Sequence, residues 1–92
     1  MNRSEILDTA KQAVTVDRAA THGDAERNFG LIAAYWSAHL DVPVSARDVA
    51  VMMALLKMAR IKSNPEHADN WIDIAGYAAC GGEIATAERS AS

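Results

Sequence analysis

Apolar residues along this chain recur with a helical period. Ile6, Leu7, Ala10, Ala13 and Val14 fall at three- and four-residue intervals, the spacing that lines one face of an α-helix. Ser4 is a candidate N-cap, and Glu5 falls in the first turn, where a carboxylate meets the positive end of the helix dipole. Thr21, Gly23 and Asp24 interrupt the pattern, so residues 18–24 read as a loop. Asp24 then caps a second helix running to about Leu40, with Phe29, Ile32, Ala33, Trp36 and Leu40 as its apolar stripe. Residues 41–44 form a short connector. Ser45, with Asp48 three positions on, has the spacing of a capping box for a third helix.

Residues 49–61 are apolar almost all the way round, a pattern that belongs in the middle of something. In so short a chain that implies helices on one side and a second subunit on the other. Asn64-Pro65 ends this helix, because the residue before proline is pushed out of the helical region. A fourth helix starts near residues 66–69 and passes through Trp71, Ile72, Ile74, Ala75, Tyr77, Ala78 and Ala79. Gly81-Gly82 either breaks it or lets another helix approach closely. Nowhere do β-branched and aromatic residues alternate with polar ones, so strands are disfavoured. The expectation is one all-α domain over residues 1–92, a compact bundle of about four helices. It should dimerise with a second copy through the third and fourth helices, with residues 1–3 and 86–92 frayed.

Composition sharpens this. A chain of 92 residues buries only about 60–65% of its unfolded surface, so its core is marginal alone. Half of the residues are hydrophobic, many of them alanine, which adds little buried area per residue. The net charge of −3 argues against a nucleic-acid backbone as partner, since such binders show a basic face. Cys80 is the sole cysteine, so neither an intrachain disulfide nor a cysteine metal cluster can form. The N-terminus lacks the apolar core of a signal peptide, and the longest apolar run is far short of the ~20 residues that span a bilayer. A cytoplasmic setting with no membrane partner is the default expectation.

The informative residues are the charged ones inside the apolar helices. Lys57 and Arg60 lie three apart, and Asp69 and Asp73 four apart, so each pair shares a helical face that Tyr77 continues for the second. Charges held away from water must pair, bind a ligand, or reach solvent. One option is purely structural: Lys57 and Arg60 bridge Asp73 and Asp69 across two antiparallel helices. The other is a site, because more polar residues gather at the mouths of the same helices: Arg18, His22, Asp24 and Asn28 at one, Asn64, His67 and Asn70 at the other. Arg18 and His22, beside Gly23, would suit an anion. Glu66, Asp69 and Asp73, at i, i+3 and i+7, could share a face and hold Mg²⁺, a hard cation that takes oxygen ligands and completes its shell with phosphate. No histidine or cysteine pattern suggests zinc, and no serine or cysteine stands where it would be activated as a nucleophile.

The ordered segments Asp-Arg-Ala-Ala-Thr-His-Gly-Asp, the apolar run of residues 49–61, and Asp-Asn-Trp-Ile-Asp-Ile-Ala-Gly-Tyr resemble a family of short phage and prophage proteins. More distantly they are similar to the all-α MazG-type nucleotide pyrophosphohydrolases. That second resemblance implies an oligomeric enzyme that cleaves nucleoside triphosphates, with Mg²⁺ held in a Glu-x-x-Glu then Glu-x-x-Asp pattern on two helices. Glu66-His-Ala-Asp69, with Asp73 one turn on, matches the second half; Lys57 and Arg60 stand where the first pair of carboxylates belongs. The function expected is nucleotide binding, with Arg18, His22, Lys57, Arg60 and Asn70 on the phosphates or base and Glu66, Asp69 and Asp73 on Mg²⁺, as a phage-encoded pyrophosphohydrolase. The alternatives are a non-enzymatic phage protein that sequesters a nucleotide or inhibits a host protein, and a helical module without a ligand.

Overall fold

The computed structural model describes residues 1–17 and 25–91. They form α1 (Arg3–Gln12), α2 (Ala25–Leu40), α3 (Ala46–Ser63) and α4 (Ala68–Ala91), with a π-helical stretch at Ala13–Asp17 prolonging α1. Among the described residues there is no strand, as the missing alternation requires. The all-α, four-helix expectation is met.

The caps show how the local sequence starts each helix. Asn2, not Ser4, is the N-cap of α1. Its side-chain oxygen accepts from the Glu5 amide at 2.8 Å while the Glu5 carboxylate accepts from the Asn2 amide at 3.2 Å. Glu5 lies three residues after Asn2, the distance a reciprocal box needs, and this settles the choice of cap. The predicted box at α3 is present: Ser45 Oγ accepts from the Asp48 amide at 3.0 Å and Asp48 Oδ2 from the Ser45 amide at 2.9 Å. The cap proposed for α2, Asp24, lies outside the described residues.

α2 ends at Leu40, where the sequence placed it, although the means were not foreseen. Asp41 turns the chain at a φ of 57°, the left-handed conformation in which helices commonly stop. Ser37 then pins the connector, its hydroxyl donating to the Val44 carbonyl at 3.1 Å and accepting from the Val44 amide at 2.9 Å. Asn64 caps α3 with a backbone that has left the helical region (φ −147°, ψ 76°) ahead of Pro65, its amide still bonded to the Arg60 carbonyl. The Trp71 indole closes the turn by donating to the Pro65 carbonyl at 2.9 Å.

α3 and α4 make the dominant packing pair. They run antiparallel, with Lys57 opposite Asp73 near the turn and Ala50 opposite Gly81 at the far end. Gly81-Gly82 does not interrupt α4, and the tail expected to fray is helical to Ala91. A Cβ on Gly81 would lie 2.9 Å from the Ala50 Cβ, so this glycine sets the helix spacing. The core collects Phe29, Ala33, Val49, Ala50, Cys80 and Ile84, with Phe29 and Val49 fully enclosed. Tyr77 joins it, its ring centroid 6.2 Å from that of Phe29, an ordinary aromatic pairing distance. Leu40, assigned above to the buried stripe of α2, is exposed instead, because α2 ends there.

Candidate functional site

The turn between α3 and α4 opens into a cleft of about 620 Å³, and most of the polar residues singled out above lie around it. Lys57 and Arg60 come from α3, Asp69, Asn70 and Asp73 from α4, and Asn64 and His67 from the turn. The antiparallel register is the cause. Residues one turn apart at the end of α3 face residues one turn apart at the start of α4. Ser63, at the last turn of α3, also lines the cleft and was not foreseen; a serine at a helix end carries no pattern that marks it.

Among the described residues, the charges of the cleft are not all paired with one another. Lys57 Nζ sits 2.7 Å from Asp73 Oδ2, with the Lys57 side chain only 14% exposed and Asp73 39%. One of the two structural bridges proposed above is therefore made. Arg60 and Asp69 form no ion pair with each other; both are exposed at the rim. Asp69 has His67 Nε2 at 3.9 Å, a solvent-exposed contact worth little. Tyr77, four residues beyond Asp73 on α4, lines a small pocket with it and also packs, half-buried, against the core beside Phe29.

Asn70 stands apart. It is only 5% exposed, the sole buried polar residue of the described core, and it borders the cleft. Its backbone amide donates to the His67 carbonyl at 3.1 Å, yet its side chain makes no hydrogen bond to any described residue. A buried amide left without partners costs roughly 1–3 kcal/mol.

The metal-ligand expectation changes. Glu66 lies in the turn before α4, which begins at Ala68, so the i, i+3, i+7 register does not apply to it. It does not line the cleft. Asp73 is engaged by Lys57. Among the described residues no three His, Cys, Asp or Glu side chains are grouped to hold a metal ion. This donor set does not fit a resident Mg²⁺. Arg18 and His22 lie outside the described residues.

The fold and cleft define a small helical protein whose polar site is built where one antiparallel helix pair turns. The chain belongs to the family described as Domain of unknown function (DUF6378), whose model matches residues 5–85. It is 47% identical over 74 residues to the "Gene 55 protein" of Mycobacterium phage L5, covering 79% of this chain and 47% of that protein. It is 39% identical over 75 residues to the "Gene 55 protein" of Mycobacterium phage D29, covering 82% and 50%. The chain spans about half the length of these curated relatives. The resemblance to phage proteins is thus established, and these comparisons lend nothing to the MazG-type one. No solved structure matches. No helix among the described residues is long and apolar enough to cross a membrane.

Proposed function

We propose that this chain is a nucleotide-binding phage protein, acting in the host cytoplasm, whose cleft between α3 and α4 takes the ligand. The observation that carries this reading is the Asn70 side chain, buried and without a described partner on the wall of a cleft that also presents Lys57 and Arg60. An amide that both donates and accepts can read the edge of a base or a sugar hydroxyl. An arginine at the rim offers a planar fork suited to phosphate oxygens. Lys57, already neutralised by Asp73, adds a positive edge without carrying a net charge into the site.

Binding is the core of the proposal, and pyrophosphohydrolysis is its stronger form. Because the described residues group no three metal-binding side chains, Mg²⁺ would arrive as part of the nucleotide complex, and Asp69 is the cleft carboxylate that Lys57 does not engage. Sequestration of a nucleotide without turnover needs only the cleft. Inhibition of a host protein remains the alternative of a different class.

The test is a thermal-shift and calorimetric screen of nucleoside mono-, di- and triphosphates, each with and without Mg²⁺, with product analysis for phosphoanhydride cleavage. A ligand that binds only the native state raises the melting temperature as its concentration exceeds Kd. Arg60→Ala should weaken binding about tenfold or more, the loss of one charge-assisted contact, while leaving the unliganded melting temperature unchanged. If no nucleotide shifts the melting curve even at millimolar concentration, the reading is wrong.

The Lys57–Asp73 contact favours a second reading, in which the charges only fix helix register. Lys57→Met combined with Asp73→Leu separates the two. Apolar replacement of a partly buried pair is often neutral or stabilising, so a purely structural pair tolerates it, and nucleotide binding is then unaffected.

A further inference from the structure

On the flank of α3 opposite the polar cleft lies an apolar groove of about 400 Å³. Successive residues are 100° apart on a helix, which places Val51, Leu55 and Met58 about 140–180° round the helix from Arg60. These three side chains form a ridge along one wall of the groove, each more than half exposed. The facing wall, on α4, is mostly small residues, Ala78, Gly81, Gly82 and Ala85, together with Tyr77, and Arg47 of α3 also lines the groove.

The whole chain exposes more surface than a compact monomer of its mass, and the exposed apolar side chains of α3 are part of that surface. The chain exposes 6475 Å². A folded monomer of 9.9 kDa should expose about 5,200 Å², an excess here of about 1,300 Å². The radius of gyration is 13.9 Å, against about 12.3 Å for a compact domain of this length. A standard interface removes about 800 Å² from each partner, so the excess is sufficient for one.

We propose that a second copy of this chain covers the groove. A two-fold axis makes any interface self-complementary, and this face carries both halves of such a fit. The Val51–Leu55–Met58 ridge of one copy lies over the Ala78–Gly82–Ala85 wall of the other. The absence of a side chain at Gly82, where an added Cβ meets nothing within 4 Å, gives the partner's ridge room to approach. The arrangement leaves the polar cleft on the outer flank of each copy, so it holds whether or not the cleft binds a nucleotide.

The test is the solution mass of the unliganded chain by light scattering and sedimentation, at concentrations up to about 100 µM, since dimer population depends on protomer concentration. Wild type should have twice the 9.9 kDa chain mass. Leu55→Glu puts a charge on the ridge, and Gly82→Arg fills the groove while favouring the helix. Both positions are open to solvent in the isolated chain, so each variant should keep its helical circular dichroism and run at the single-chain mass. A wild-type chain that stays monomeric at the highest concentration overturns the proposal and assigns the face to a different partner. So does a dimer that survives both folded variants, or an assembly that grows beyond two copies.

Discussion

At the residue scale, Lys57 and Asp73 are the clearest case of a charge in an apolar helix finding its partner. The pair is asymmetric: the ammonium is largely covered, whereas the carboxylate reaches the rim. Asp73→Ala should therefore destabilise by less than the ~3–5 kcal/mol typical of breaking a fully buried pair. A cost of about 1–2 kcal/mol is expected, with Asp73→Asn costing less because an amide oxygen can still accept from Lys57. Urea denaturation of the two variants decides this; equal midpoints for alanine, asparagine and wild type would show that the contact has no energetic weight. Asn70 gives the opposite expectation. Asn70→Leu removes a buried amide that has no described partner, so stability should hold or rise while affinity for the ligand falls. The pair was visible in the sequence as spacing, three apart on one helix and four on the next. Asn70 was visible only as one polar residue among several, because burial is not written in residue type.

At the scale of elements, the helices differ in how much of their definition is local. α3 is started by the Ser45–Asp48 box. The hydrogen bonds from the Ser45 backbone amide and hydroxyl, aided by Arg47, hold the Asp48 carboxyl below its ordinary pKa. A carboxyl whose pKa is lowered on folding stabilises the native state above its unfolded pKa and loses that contribution as pH falls through the folded one. Ser45→Ala should raise the Asp48 pKa, followed by its carboxyl resonance in an NMR titration, and should cost about 1 kcal/mol from loss of the cap. At the other end of α2, Asp41→Gly should stabilise the chain by up to about 1 kcal/mol, since glycine adopts the left-handed conformation without strain; a lowered melting temperature would contradict this. The helices themselves were legible from period and capping chemistry. The continuation of α4 through Gly81-Gly82 was not, because two glycines are compatible with either a break or a close approach.

At the scale of the whole molecule, Gly81 governs how α3 and α4 meet. Gly81→Ala gains intrinsic helix propensity of about 1 kcal/mol but drives a methyl to within 2.9 Å of Ala50. Overpacking of this kind costs about 1–3 kcal/mol, so a net loss of stability is expected, together with a disturbed cleft, because the same register brings Lys57 to Asp73. A melting temperature above wild type would show that the helices separate freely.

Local sequence determined the helices of this chain, the box that starts α3, the break at Asn64-Pro65 and the presence of charges that apolar helices must accommodate. Those depend on propensity, capping and period, which act over a few residues. Tertiary structure alone decided which charges meet. Lys57 and Asp73 are brought together and Arg60 and Asp69 remain apart, Glu66 falls off the helix that was to align it, Tyr77 packs against the core, and Asn70 is buried beside a cleft. Each outcome depends on helix register and on where a helix begins. A shift of one residue rotates every side chain by 100°, and packing across the whole bundle, rather than any local preference, fixes that register.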